Sequence, residues 1–189
     1  MSDFDERLPP VFLGSVPRIP DWRGSLIKIF YDGAFGARGF AMETKQIVHS
    51  ATDRAGVLRG LHAQNRPHSE GKIIVSLTGR SFWVVVDLRG GSRSFGRWQG
   101  FELAPDSAGG ASALQVPAGF AHGCLSLTDG VGLAIFADRD YAPSQVVGIA
   151  WNDPDLAIEW PLSSGAPSLS NEHAAFGSFA DFRRRYGNL

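Results

Sequence analysis

The sequence predicts an all-β protein, a sandwich or barrel forming one main domain with a short helix near its C-terminal end. Three observations predict it. From Ser25 onward short apolar runs alternate with Gly, Pro and Asp clusters. No segment before the C-terminus keeps a helical period over about 10 residues. The 189 residues include 23 glycines and 11 prolines, which supply turns at the density a many-stranded protein needs.

The elements follow in order. Residues 1–22 carry acidic residues and four prolines without periodicity, which predicts an N-terminal arm, available for subunit contacts, ahead of a domain over 23–189. Between Lys72 and Arg89 two apolar runs flank Thr78-Gly79, which predicts a hairpin with a two-residue turn. Counting outward opposes Val75 to Phe82, Ile74 to Trp83, Ile73 to Val84 and Lys72 to Val85. Lys72, Ile74 and Trp83 then share one face, and Ile73, Val75, Phe82, Val84 and Val86 the other. Further strands are predicted at 97–104, 112–116, 122–127, 131–137 and 146–151. Phe176, Phe179, Phe182 and Tyr186 recur at steps of three and four, predicting an amphipathic helix within 171–186 that packs on the barrel. Arg183, Arg184 and Arg185 mark its solvated C-terminal end.

A formal net charge of −1 leaves no basic field for a nucleic-acid backbone or an anionic membrane. No cationic start precedes an apolar run, and nowhere do about 18 apolar residues follow one another. A cytoplasmic protein is expected. Cys124 is the single cysteine, so no intrachain disulfide forms, and its apolar strand makes it a packing residue rather than a nucleophile. Gly90-Gly91 and Gly109-Gly110 lack the strand, loop and helix context of a phosphate loop and read as turns.

Two segments carry the candidate chemistry: Gly56-Val-Leu-Arg-Gly-Leu-His62-Ala-Gln64 and Val116-Pro-Ala-Gly-Phe-Ala-His122-Gly123. In each a histidine follows glycines within an apolar strand, where burial tunes an imidazole. Arg59 and His62 have opposite strand parity, so both enter one pocket only if the chain bulges near Gly60.

These segments, with Gly71-Lys72, Val86-Asp87-Leu88-Arg89, Ser94-Phe95-Gly96, Trp98, Gly148-Ile-Ala-Trp-Asn-Asp-Pro and Trp160-Pro161, occur in an order that resembles the dTDP-4-dehydrorhamnose 3,5-epimerase family. The likeness runs over about residues 56–161, with a weaker echo at Arg38 to Glu43. It implies a cupin-like double-stranded β-helix, or jelly-roll barrel, usually a homodimer, that binds a thymidine-type nucleoside-diphosphate 4-keto-6-deoxy sugar. It implies no metal or other cofactor. Carbons beside a ketone are acidic because the carbanion delocalises onto oxygen, so inversion needs a base, enolate stabilisation and a proton donor on the opposite face. By resemblance His62 is the base, Lys72 supports the enolate oxygen, and Arg59 and Gln64 hold the diphosphate or sugar. Arg38 and Glu43 reach the nucleotide of the other subunit, and His122 is the second pocket histidine.

The chain also departs from the family. Aligned on Leu169-Ser170, His173 stands where the family places the aspartate paired with its base. Counting back from Tyr141-Ala-Pro143, Ile135 stands at the acid tyrosine, with Phe136 for a neighbouring lysine, and Trp83 replaces a hairpin aspartate. The chain is shorter by a helix between Glu43 and His49. Tyr141, Asp138 and Glu172 are the substitutes the sequence offers for the missing acid and carboxylate. Two other readings stay open: a binding protein or related keto-sugar isomerase that keeps the pocket, and a metal cupin using His62, His122 and His68 or Glu70, although its motif does not close.

Overall fold

Strands form where β-branched and aromatic residues run between glycine and proline turns, and here they build two facing antiparallel sheets. The computed structural model describes residues 11–30, 42–106, 110–163 and 165–189. In chain order the strands are β1 (Phe12–Asp21), β2 (Gly24–Ile27), β3 (Gln46–Thr52), β4 (Leu58–Gln64), β5 (Lys72–Thr78) and β6 (Ser81–Asp87). There follow β7 (Trp98–Leu103), β8 (Gly110–Val116), β9 (Phe120–Ser126), β10 (Val131–Ala137) and β11 (Val146–Gly148). One sheet has the order β2-β1-β8-β5-β10-β3 and the other β11-β4-β9-β6-β7. From β3 onward consecutive strands pass from sheet to sheet, except for the neighbours β6 and β7, which is the cupin-like jelly-roll barrel.

The expected hairpin of β5 and β6 does not form. β5 pairs with β8 and β10, and β6 with β7 and β9, so the turn at Gly79 (φ 66°) carries the chain across the barrel. Ile74 and Trp83 do meet, but from opposite sheets across the interior, where they pack with Val85, Leu114, Val116 and Phe120. Ile73 and Val75 lie on the outer face of the six-stranded sheet, whereas Val84 and Val86 lie on that of the other. Both strands are apolar on both faces because both faces are covered.

The covering on the five-stranded side is the C-terminal segment. Leu156, Phe179, Phe182 and Leu189 bury Leu61, Ala63, Val84 and Val86, each contributing about 1.5–3 kcal/mol when a large apolar side chain is fully buried. The single helix expected over 171–186 is two: α1 (Asn171–Ala174) and α2 (Phe179–Tyr186). The chain breaks between them where the Gly177 carbonyl accepts from Ala150 N–H, and Ser178 and Asp181 close a capping box that restarts the helix. Arg183, Arg184 and Arg185 lie exposed in its last turn.

The N-terminal arm also needs correction from Phe12 onward. Phe12 to Pro17 pair with β8, and Val11, Phe12 and Val16 are buried. Beyond them the β1–β2 hairpin leaves Ile19, Trp22 and Leu26 exposed. Four of the strands expected from Trp98 to Ala137 are in place, β10 spanning the predicted residues, while β11 stops at Gly148 where 146–151 had been expected.

Several motif residues act as staples. The Asp87 carboxylate is buried and accepts from Arg89 Nη2 at 2.7 Å and from the Ser92 and Ser94 hydroxyls at 2.6 Å each. Burial alone would raise its pKa, but these donors hold it at about 2. Asp153 accepts from the backbone N–H of Phe179 at 2.8 Å and fixes the start of α2. Among the described residues, no helix is long and apolar enough to cross a membrane.

Candidate active site

β4 places the site through an irregularity. Arg59 stands opposite Cys124 and His62 opposite His122, so Gly60 and Leu61 together face the single residue Gly123. This is the bulge the parity of Arg59 and His62 required. Cys124 points into the interior cluster, and its directly opposed partner Arg59 shares that face. Leu61 and Ala63 pack outside, which turns His62 and Gln64 inward. Gly60 makes the bulge possible: its φ is 107°, and a Cβ there would lie 2.4 Å from the His122 carbonyl oxygen.

Three imidazoles gather as a result. The His62 ring meets that of His122 edge-on at 4.8 Å between centroids and lies 5.4 Å from that of His173. Trp83, buried with its indole N–H donating to Ser81 Oγ, stacks on the other side of His122 at 6.0 Å. Lys72 Nζ sits 3.1 Å from His122 Nε2 and 2.7 Å from a buried carboxylate oxygen of Glu70. A lysine ammonium only donates, so His122 Nε2 accepts. One ammonium hydrogen is left for a third acceptor.

A cavity of about 70 Å³ opens between His62, Gln64, Glu70, Lys72, Tyr141, Val146, Glu172 and His173. At about 10–15 Å³ per water-sized group it admits roughly five, enough for the reacting edge of a sugar. A larger concavity of about 550 Å³ beside Gly90, Phe95, Arg183 and Asn188 contains none of the three histidines and is an open surface groove. The chemistry belongs in the smaller one.

The field of the site keeps its bases neutral. Burial, reinforced by the positive charges of Lys72 and Arg59 and by His173, pushes His62 down to about 3, even though part of its ring opens to the cavity. Burial and Lys72 likewise hold His122 well below the usual imidazole range. His173 is lowered by burial, with Glu172 opposing. Burial pushes the Cys124 thiol up to about 12, consistent with a packing role.

His62, Lys72, Tyr141, Gln64 and His173 therefore converge on the cavity, and His122 stands directly behind it. Gln64 differs from expectation, since its amide is occupied. It donates to the carbonyls of His68 and Asp140 and accepts from the N–H of Ala142, which braces both neighbours of Tyr141. Arg59 is exposed and, among the described residues, bonds only to neutral oxygens, Thr52 Oγ1 and the Ala51 carbonyl. Ile135, opposite Ile74 on β10, packs against the interior cluster. Glu43 is exposed and paired with Lys45, away from the cavity of its own chain. Arg38 lies outside the described residues. Asp138 accepts from Gly71 N–H and shapes that turn. His68 is exposed, and among the described residues no three His, Cys, Asp or Glu side chains are grouped to hold a metal ion. Glu70 was legible only as a loop ligand. Its place two residues before Lys72, close enough for opposite charges to pair, was the available signal.

A cupin-like barrel that gathers histidines beside a lysine, with an exposed arginine on the same strand, fits the sugar-nucleotide epimerase class to which its structural relatives belong. The chain belongs to the dTDP-4-dehydrorhamnose 3,5-epimerase family, whose model matches residues 5–181. A Mycobacterium tuberculosis dTDP-4-dehydrorhamnose 3,5-epimerase is 39% identical over 165 residues, 86% of this chain and 80% of that protein. Among solved structures, the M. tuberculosis rmlC epimerase superposes with a TM-score of 0.87 at 36% identity, covering 96% of this chain and 89% of that one. ChmJ, a 3'-monoepimerase from Streptomyces bikiniensis in complex with dTDP-quinovose, superposes with a TM-score of 0.82 at 30% identity, covering 92% and 86%.

Proposed function

We propose that this protein epimerises a thymidine-diphosphate 4-keto-6-deoxy sugar by removing a proton from a carbon beside the ketone. The observation that carries the reading is the interior juxtaposition of neutral His62 with Lys72, on a strand whose Arg59 has no carboxylate partner among the described residues. His62 accepts the proton. The free Lys72 hydrogen bonds the enolate oxygen, Arg59 holds the diphosphate, and the Tyr141 phenol, reaching the same cavity, returns a proton. Trp83, Ile135, His122 and His173 shape the sugar pocket. The proton-transfer set is atypical for the family in this reading, because among the described residues no carboxylate bonds His62 and an aliphatic Ile135 takes the place of the acid tyrosine. The reaction needs no cofactor and runs in the cytoplasm.

The active form in this reading is a homodimer in which Arg38 and Glu43 reach the partner's nucleotide, and 1–22 contributes to the contact. Exposed Ile47 and Val48 on edge strand β3, with Ile19, Trp22 and Leu26 on the β1–β2 hairpin, supply apolar surface for it. A binding protein without turnover is the second reading, favoured by the low basicity of His62. The deciding experiment incubates the protein with dTDP-4-keto-6-deoxyglucose in deuterated water and follows the carbons beside the ketone by NMR. Deuterium with inversion at one or both supports the epimerase. Binding without any exchange supports the second reading.

A further inference from the structure

The backbone of Gly60 does more than shape a bulge. Its N–H donates to His173 Nδ1 at 3.3 Å, while Ser170 Oγ accepts from the backbone N–H of His173 and sets the start of α1. A nitrogen that accepts from an amide carries no proton, so a neutral imidazole held this way carries it on Nε2. Phe176 packs on one side of the ring at 5.3 Å and His62 lies at 5.4 Å. Nε2 has no hydrogen-bond partner among the described residues, and the side chain lines the cavity.

We infer that His173 is a substrate-positioning residue, locked by the Gly60 N–H in the Nε2-protonated tautomer, so that it offers a neutral donor beside His62 to an acceptor oxygen of the bound sugar. This rests on the proposed sugar-nucleotide site but not on turnover. A carboxylate in the same place would only accept, and would pull on the base itself. A donor there instead grips a hydroxyl or keto oxygen and orients the sugar toward His62. The His62 bulge and the His173 tautomer are thus set by one residue, Gly60.

The test has a spectroscopic and a binding arm. In the full chain with ¹⁵N-labelled histidine, long-range ¹H–¹⁵N correlations at neutral pH show the His173 proton on Nε2, assigned by comparison with His173→Gln. A proton on Nδ1 overturns the inference. In calorimetry with dTDP-glucose and with dTDP, His173→Gln, whose amide N–H reaches the Nε2 position, binds dTDP-glucose within about threefold of wild type, whereas His173→Asn, which keeps only the Nδ1 acceptor, binds it about tenfold more weakly. Both bind dTDP as wild type does. Equal loss in the two variants, or loss that extends to dTDP, reduces His173 to a structural role and overturns the inference. Failure of proton exchange in the wild type, with these results intact, removes the epimerase reading alone. Failure of the wild type to bind dTDP-glucose removes both.

Discussion

Gly60 and His122 approach so closely that a Cβ on Gly60 would sit 2.4 Å from the His122 carbonyl oxygen and 2.7 Å from the Gly123 Cα. Both obstacles are backbone and cannot rotate away. Gly60→Ala therefore combines a positive φ with a clash and costs about 3 kcal/mol or more. For a chain of this size that lowers Tm by about 6–12 °C, read by calorimetry. The change also separates His62 from His122, so exchange falls further than stability does.

Lys72 lies between Glu70 and His122, and the Glu70 carboxylate is only 5% exposed. Glu70→Ala strands a nearly buried ammonium and destabilises by about 3–5 kcal/mol, measured by denaturant titration. Glu70→Gln keeps a hydrogen-bond acceptor and costs less. Lys72→Met removes the enolate donor and lowers turnover by about 10²–10³-fold with little change in dTDP binding.

His62 is the only imidazole of the three both inward-facing on β4 and open to the cavity. His62→Asn reduces deuterium incorporation from solvent by about 10²–10⁴-fold while dTDP affinity is kept. Exchange as fast as wild type would remove the residue from its assigned role.

The depressed histidines make the fold acid-sensitive in a defined window. His62 titrates near 3 when folded and near 6.5 when unfolded, so between these values the unfolded chain binds more protons. The stability from His62 is complete above about pH 6.5 and is lost as pH falls toward 3, and His122 acts in the same direction. The contribution of Asp87, held at about 2, is complete above about pH 4 and is lost only below that, as pH falls toward 2. Tm measured from about pH 8 to about pH 5 therefore falls for the wild type and falls less for a His62→Asn, His122→Asn double variant. Equal slopes would contradict the buried neutral state.

Among the described residues Arg59 bonds only to neutral oxygens of Ala51 and Thr52. Arg59→Ala weakens dTDP by about tenfold or more, and Arg59→Lys recovers only part of it, since lysine lacks the bidentate fork. Calorimetric titration of dTDP against the three proteins checks the order.

Local chemistry was enough to show where strands run, because alternating or fully apolar runs such as Val131–Ala137 end at turn residues regardless of what they pair with. It also showed that Gly60 must bend the chain, since the parity of Arg59 and His62 is a property of the backbone. It placed His62, Lys72 and His122 in one site only through the resemblance of their motifs. Partner choice was a different matter. β5 and β6 are apolar on both faces, and a tight turn serves equally for a hairpin or for a crossing between sheets, so only the packed barrel decided that Ile74 and Trp83 face each other across the interior. The same holds for contacts between residues far apart in the chain. The Gly60 to His173 bond spans 113 positions, the Gln64 amide was spent on the loop that carries Tyr141, and Asp87 turned out to be a staple. The residue types of His173, Gln64 and Asp87 were visible in the sequence, but their partners were set by long-range packing, which leaves no local periodicity to read.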